Sequence, residues 1–235
     1  MIVLYRRQLL ALLTLGSAGL PSAWALDLSK ADASAGLRTA LERGAAAAVD
    51  LLGQTDGFLG NPKVRIPLPG WLDKGAQLLK AAGQGEKVDE LVTAMNRAAE
   101  AAVPAAKPLL LNAVKSMKVA DAQRILSGGD TSVTEFFSSR TREPLGVKFL
   151  PIVTDATQKV DLARKANAVM GSVGSLANKF GFGKKDAPPQ TIEQHVTAKA
   201  LDGLFLMIGE EERKIRQDPV GTGSAILQKV FGGLK

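Results

Sequence analysis

Apolar residues recur at three- and four-residue intervals along most of this chain, the spacing that gathers them on one face of an α-helix. Leu37, Leu41, Ala45, Ala48 and Leu52 make the first such stripe, with Ser29 or Asp32 available as N-cap and Gly53 ending the pattern. Residues 86–103 carry the cleanest one. There Val88, Leu91, Val92, Met95, Ala99 and Ala102 share a face, while Asp89, Glu90, Asn96, Arg97 and Glu100 are expected to point away from it. Pro104 ends that helix and suits the first turn of the next, which carries Leu110, Ala113, Val114 and Met117. A short helix over 121–126 stops at Gly128-Gly129, and Asp130, Thr131 or Ser132 can cap another through Phe136-Phe137. From Leu145 the spacing Leu145, Phe149, Ile152, Val153, Ala156, Val160 passes through Pro151, which predicts a kinked or interrupted helix. Residues 191–216 form a long helix whose stretch 204–208 is apolar all round and so is expected to be buried on every side. Ile226, Val230 and Phe231 pin a last short helix.

Two stretches break the helical pattern. Residues 54–70 contain Asp56-Gly57, Asn61-Pro62 and the run Ile66-Pro67-Leu68-Pro69. Asp-Gly and Asn-Pro signal turns, and three prolines rule out a helix and disfavour a central strand. The run should be extended, close to polyproline geometry, before a short helix resumes over 71–82. Residues 173–189, rich in Gly, Lys and Pro, read as a loose helix end and a loop. No alternating strand pattern and no internal repeat occurs. The fold class is all-α: a single multi-helix bundle with one extended Pro-rich loop at 54–70 and a kink near Pro151.

The N-terminus changes the compartment. Arg6-Arg7, a short apolar run over 9–15 and Ala23-Trp24-Ala25 have the order of a cleaved export signal, with cleavage expected after Ala25. The run is shorter than the roughly 20 apolar residues a membrane-spanning helix needs, and no later segment qualifies. The chain then divides into a signal peptide, 1–25, and one helical domain, 26–235, in the periplasm. Arg6-Arg7-Gln8-Leu9-Leu10 also resembles a twin-arginine signal, although two arginines are common in any basic start and the general secretory route fits better.

Composition excludes several chemistries. The 235 residues hold no Cys, so disulfides, thiolate metal sites and cysteine nucleophiles are out. Loss of 1–25 removes two Arg and no acid, leaving 28 basic against 23 acidic residues. That mild surplus, dispersed among carboxylates, does not suit nucleic acid and gives at most a weak attraction to anionic membrane surfaces.

Several stretches resemble the DUF4197 family, exported bacterial helical proteins of unknown function. They are Thr55-Asp56-Gly57-Phe58 with Asn61-Pro62, Ile66-Pro67-Leu68-Pro69, Gly128-Gly129-Asp130-Thr131 and Phe149-Leu150-Pro151-Ile152-Val153. Ala200-Leu201-Asp202-Gly203-Leu204-Phe205 and Asp218-Pro219-Val220-Gly221-Thr222-Gly223-Ser224 complete the set, in order along nearly the whole exported chain. The resemblance implies a signal peptide and a helical fold, and it carries no catalytic residues with it.

The candidate chemistry is sparse. His195, Lys199 and Asp202 stack on one helix face, which could supply a base, a cation and an orienting carboxylate, with Asp130 or Glu210 assisting. One face, however, presents no nucleophile or oxyanion site opposite. Glu210-Glu211-Glu212 could be a carboxylate cluster, but Glu210 with Lys214 and Glu212 with Arg216 also form ordinary i,i+4 helix pairs. Gly129, Asp130 and Thr131, after Gly128, could offer backbone N–H groups to an anion, or be a C-cap followed by an N-cap. Gly221-Thr222-Gly223-Ser224 and Gly181-Phe182-Gly183-Lys184-Lys185 lack the order of a nucleophile elbow and of a phosphate loop. No cofactor or metal motif is present.

The 54–70 loop carries two readings. Asp56, Phe58, Leu59, Asn61, Ile66, Leu68 and Trp71 could form the lip of a groove for an apolar, lipid-like ligand or a partner helix. Equally, Phe58 and its neighbours could be an apolar plug that closes the bundle. The expected function is a non-enzymatic periplasmic protein that binds an apolar ligand or an envelope protein. The alternatives are a structural assembly protein of the envelope and, behind it, an envelope hydrolase using His195 and Asp202.

Overall fold

Alanine and leucine at helical spacing build α1, Lys30–Leu52, the first element of the computed structural model, which describes residues 30–129, 131–159, 163–164, 166 and 191–217. The export signal, Asp130, Val160, the 173–189 loop with Lys184-Lys185, the motif from Asp218 to Ser224 and the last helix around Ile226 to Phe231 lie outside the described residues. A single 3₁₀ turn, Gly70–Leu72, leads into α2, Asp73–Ala81. Helix α3, Gly85–Ala102, runs into a 3₁₀ turn, Val103–Ala106, that holds Pro104 near its start as its spacing predicts. Then follow α4, Lys107–Lys115, α5, Val119–Ser127, α6, Ser132–Thr157, and α7, Ile192–Gln217. Among the described residues there are seven α-helices and no strand.

Helix α7 packs against α6, α1 and α3, while α1 also packs on α4 and α5, and α3 on α6. One apolar core runs through these contacts, with Phe58, Phe137, Phe149, Leu37, Leu52 and Ile66 among its largest fully buried side chains. No helix among the described residues is long and apolar enough to cross a membrane.

Three local expectations are corrected. The helix through Phe136-Phe137 and the one from Leu145 are a single element: α6 continues through both Pro144 and Pro151. Each proline costs the bond that its N–H would make to the carbonyl four residues earlier. Both sit on the solvent side, where water can satisfy those carbonyls. The apolar stretch of α7 is not buried all round, because Leu206 is 44% exposed while Leu204, Phe205, Met207 and Ile208 are buried. Third, Asn96 and Glu100 do not face solvent: both are buried. They turn instead towards the polar backbone of the loop between α1 and α2.

Candidate functional site

Residues 53–69 form a chain of turns and an extended run that crosses α3 and α7. Gly53 N–H closes α1 on Val49, and Gly57, Gly60 and Arg65 N–H groups donate back to Gln54, Asp56 and Asn61 carbonyls at 2.9–3.1 Å. Gly57 must be glycine for space: a Cβ there would stand 2.5 Å from the Leu52 carbonyl oxygen. Asp56 adopts φ 65°, the left-handed region, which Asp tolerates better than most residues. Pro69, at φ −66° and ψ 139°, has the polyproline geometry its sequence predicts.

The buried carboxylate of Glu100 holds the first half of this segment. Its Oε1 accepts the N–H groups of Phe58 at 3.0 Å and Leu59 at 3.1 Å. Its Oε2 takes Arg97 at 2.7 Å, and the same guanidinium reaches Asp56 at 2.8 Å. These two carboxylates raise the Arg97 pKa, Glu100 contributing more than Asp56. Asn96 holds the second half as a backbone mimic: its Oδ1 accepts Ile66 N–H at 2.8 Å and its Nδ2 donates to the Ile66 carbonyl at 3.0 Å. An unpaired buried amide costs roughly as much as a lost hydrogen bond, so a strandless segment against a helix needs such partners.

Helix α7 supplies the rest of the grip. Gly203 lets the loop lie directly on the helix, since a Cβ there would be 2.8 Å from the Phe58 ring and 3.2 Å from Val64 Cβ. Lys63 reaches Glu210 at 2.6 Å, and His195 Nε2 lies 3.1 Å from the Pro67 carbonyl oxygen. A carbonyl only accepts, so Nε2 carries the hydrogen. Burial lowers the His195 pKa, Lys199 lowers it further, and the Pro67 carbonyl partly offsets both.

Of the residues expected at a groove, Phe58 and Ile66 are 0% and 1% exposed and belong to the core. Leu68 and Trp71 are half-buried and packed against it, and Leu59 and Asn61 are half-buried too. Only Asp56 is exposed. A separate recess between α1, α6 and α7, lined by Leu41, Ala45, Val133, Phe137, Ile208 and Ile215 and by no residue of the loop, has a volume of about 20 Å³. That is room for about one water and none for an acyl chain.

The polar candidates on α7 are drawn into separate contacts. Asp202 binds Arg142 of α6 and lies 3.6 Å from Lys199, whereas His195 bonds the loop, so no His–Asp dyad forms. Glu210 pairs with Arg213 as well as Lys63, and these bonds lower its pKa, Lys63 first. Glu211 pairs with Lys214 and Glu212 with Arg216, so the glutamate run is taken up by helix pairs, with Lys214 one residue off its expected partner. No three His, Asp or Glu side chains converge as a metal site among the described residues.

At the α5–α6 elbow Gly128 is the C-cap and Thr131 the N-cap, the arrangement expected of a helix stop and restart. The Thr131 hydroxyl bonds Glu135, not the backbone, while Ser132 Oγ ties the turn to the Gly129 and Ile125 carbonyls. Gly129 and Thr131, offered above as an anion cradle, are exposed at the edge of a cleft between the two helices.

The family model described as "Protein of unknown function (DUF4197)" matches residues 27–232. The chain belongs to the DUF4197 family. No curated protein and no solved structure matches it. Sequence reasoning found the loop of this DUF4197 chain but missed its anchors, Asn96, Arg97 and Glu100. Their signal was present: Asn96 and Glu100 are four apart, on the edge of the α3 apolar stripe, and a loop without strand pairing needs side-chain partners for its backbone.

Proposed function

We propose that this DUF4197 protein is an exported, non-enzymatic helical protein that works by binding an envelope protein through the outer surface of the 54–70 segment. One observation carries the reading. A segment without regular structure is held by side-chain bonds from two helices, with a left-handed Asp56 at its exposed turn, so its outer face is pre-shaped before anything binds. Loops fixed on a rigid scaffold are where recognition concentrates, and a pre-shaped surface loses little entropy on association. That outer face carries Gln54, Thr55, Asp56, Lys63 and Arg65. Its polar character suits a protein surface better than a lipid tail. Against the hydrolase alternative, His195 and Asp202 are committed to different partners.

A photo-crosslinking residue placed at Gln54 or at Arg65 in the native host tests it. An adduct of one defined mass from both positions, absent when the probe sits at exposed Lys115 on α4, is the expected result. Adducts from Lys115 alone, or none from the loop, would overturn it. Export is checked in the same cells: periplasmic extraction should release a chain whose N-terminal sequence begins at Leu26, and a cytoplasmic chain retaining Met1 would refute it.

A further inference from the structure

An aspartate followed by glycine is chemically exposed, because a glycine nitrogen has no side chain beside it to hinder its attack on the preceding carboxyl group. The chain holds two such dipeptides, Asp56-Gly57 in the segment gripped by α3 and α7, and Asp202-Gly203 inside α7. Their settings differ. Asp202 and Gly203 lie within a long helix, whose backbone moves only when α7 itself comes apart. Asp56 sits at a left-handed turn with its side chain 58% exposed, so water reaches it freely.

Three contacts hold that turn away from reaction. Gly57 N–H donates to the Gln54 carbonyl at 3.0 Å, and Gly57 is buried so tightly against the end of α1 that a Cβ would stand 2.5 Å from the Leu52 carbonyl oxygen. Its nitrogen cannot swing towards the Asp56 side chain without lifting off that helix. Arg97 Nη2 holds Asp56 Oδ1 at 2.8 Å, which turns the carboxylate towards α3. Glu100 pins the next peptide by accepting the Phe58 N–H at 3.0 Å.

We propose that Asp56-Gly57 is a latent isoaspartate site, locked while the segment is seated and released when it lifts. On release the Gly57 nitrogen bonds to Asp56 Cγ, its proton leaves with a carboxyl OH as one water, and a five-membered imide closes. Water then breaks one of the two N–C bonds. Cleavage at Cγ restores aspartate; cleavage at the main-chain carbonyl leaves the backbone running through Asp56 Cγ with one extra methylene. The lengthened turn no longer brings the Phe58 and Leu59 N–H groups together onto Glu100 Oε1. An opening followed by ring closure therefore unseats the outer face of the segment, whatever that face binds.

The exported protein, kept folded at neutral pH for several weeks, tests this. Isoaspartate is counted by electron-transfer fragmentation of the tryptic peptides, of which the one spanning 44–63 also contains Asp50 as an internal control. Isoaspartate should accumulate about tenfold faster at Asp56 than at Asp202, since a segment opens locally more often than a core helix does. In urea the two rates should agree within about twofold, because the unfolded chain retains neither setting. Arg97→Gln should raise the folded rate at Asp56 about threefold, the worth of an exposed ion pair, and leave Asp202 unchanged. The isoaspartate fraction, separated by chromatography, should unfold at a lower urea midpoint than the parent. No excess at Asp56 over Asp202 in the folded protein would overturn the site. A rise at both positions in Arg97→Gln, or at neither, would overturn the lock, and an unchanged midpoint would overturn the unseating.

Discussion

Gly203 shows how one methyl group can reverse a rule. Glycine to alanine inside an exposed helix normally gains about 1 kcal/mol. At Gly203 the added carbon would meet the buried Phe58 ring at 2.8 Å and Val64 at 3.2 Å. Overpacking of this kind costs about 1–3 kcal/mol, and the loop's anchors leave the ring nowhere to go. Gly203→Ala should therefore lower the melting temperature, by about 2–4 °C per kcal/mol lost in a chain this size. Gly75 in α2 has nothing within 4 Å of its added carbon, so Gly75→Ala should raise it. Equal effects from both would mean that the loop does not rest on α7. The two carboxylates around Arg97 separate in the same manner. Glu100→Ala leaves the Phe58 and Leu59 amides without their acceptor and should cost about 2–3 kcal/mol in urea unfolding. Asp56→Asn keeps a residue that tolerates the left-handed turn, weakens only an exposed ion pair and should cost less than about 1 kcal/mol.

Helix α6 carries a different tension, because its two prolines oppose the helix that contains them. Pro151 removes the bond to the Val147 carbonyl, and an interior proline costs about 3 kcal/mol against alanine. Part of that is offset by the stiffer unfolded chain, worth about 0.4–1 kcal/mol. Since Pro151 is exposed, Pro151→Ala should stabilise by about 1–2 kcal/mol, read as a higher urea midpoint at unchanged slope. A lower midpoint would show that the proline shapes α6 for its packing on α7. Element by element, α3 and α7 were legible because long apolar stripes dominate every competing signal. Their observed bounds fall within a residue or two of the spacing. At Pro151 the spacing left a kinked or an interrupted helix open, and burial of Leu145, Phe149 and Val153 on one face carries α6 through without interruption.

At the scale of the molecule, periodicity carries the fold class but not the partnership between α3 and the loop, because Glu100 and Phe58 are 42 residues apart. A helical wheel scores Asn96 and Glu100 as solvent-facing whenever the polar backbone they will meet is not in the window. The same partnership sets the pH response. His195, the single histidine of the chain, joins α7 to the loop and has its pKa lowered from 6.5, chiefly by burial. The unfolded chain therefore takes up that proton at higher pH than the folded one, so stability is complete above about pH 6.5 and is lost as pH falls through the folded value. The carboxylates Asp121 and Glu210, with pKa values lowered from 3.8 and 4.5, act in a separate and more acidic window, below their unfolded values. Between about pH 7.5 and about pH 5 the slope should then belong to His195. His195→Gln keeps a donor for the Pro67 carbonyl without the charge. Urea midpoints should fall over that range in the parent and stay flat in the variant, while the lone imidazole resonance titrates below 6.5 in the folded protein. An equal slope in both proteins would place the acid sensitivity elsewhere and remove His195 from the account of how the loop is held.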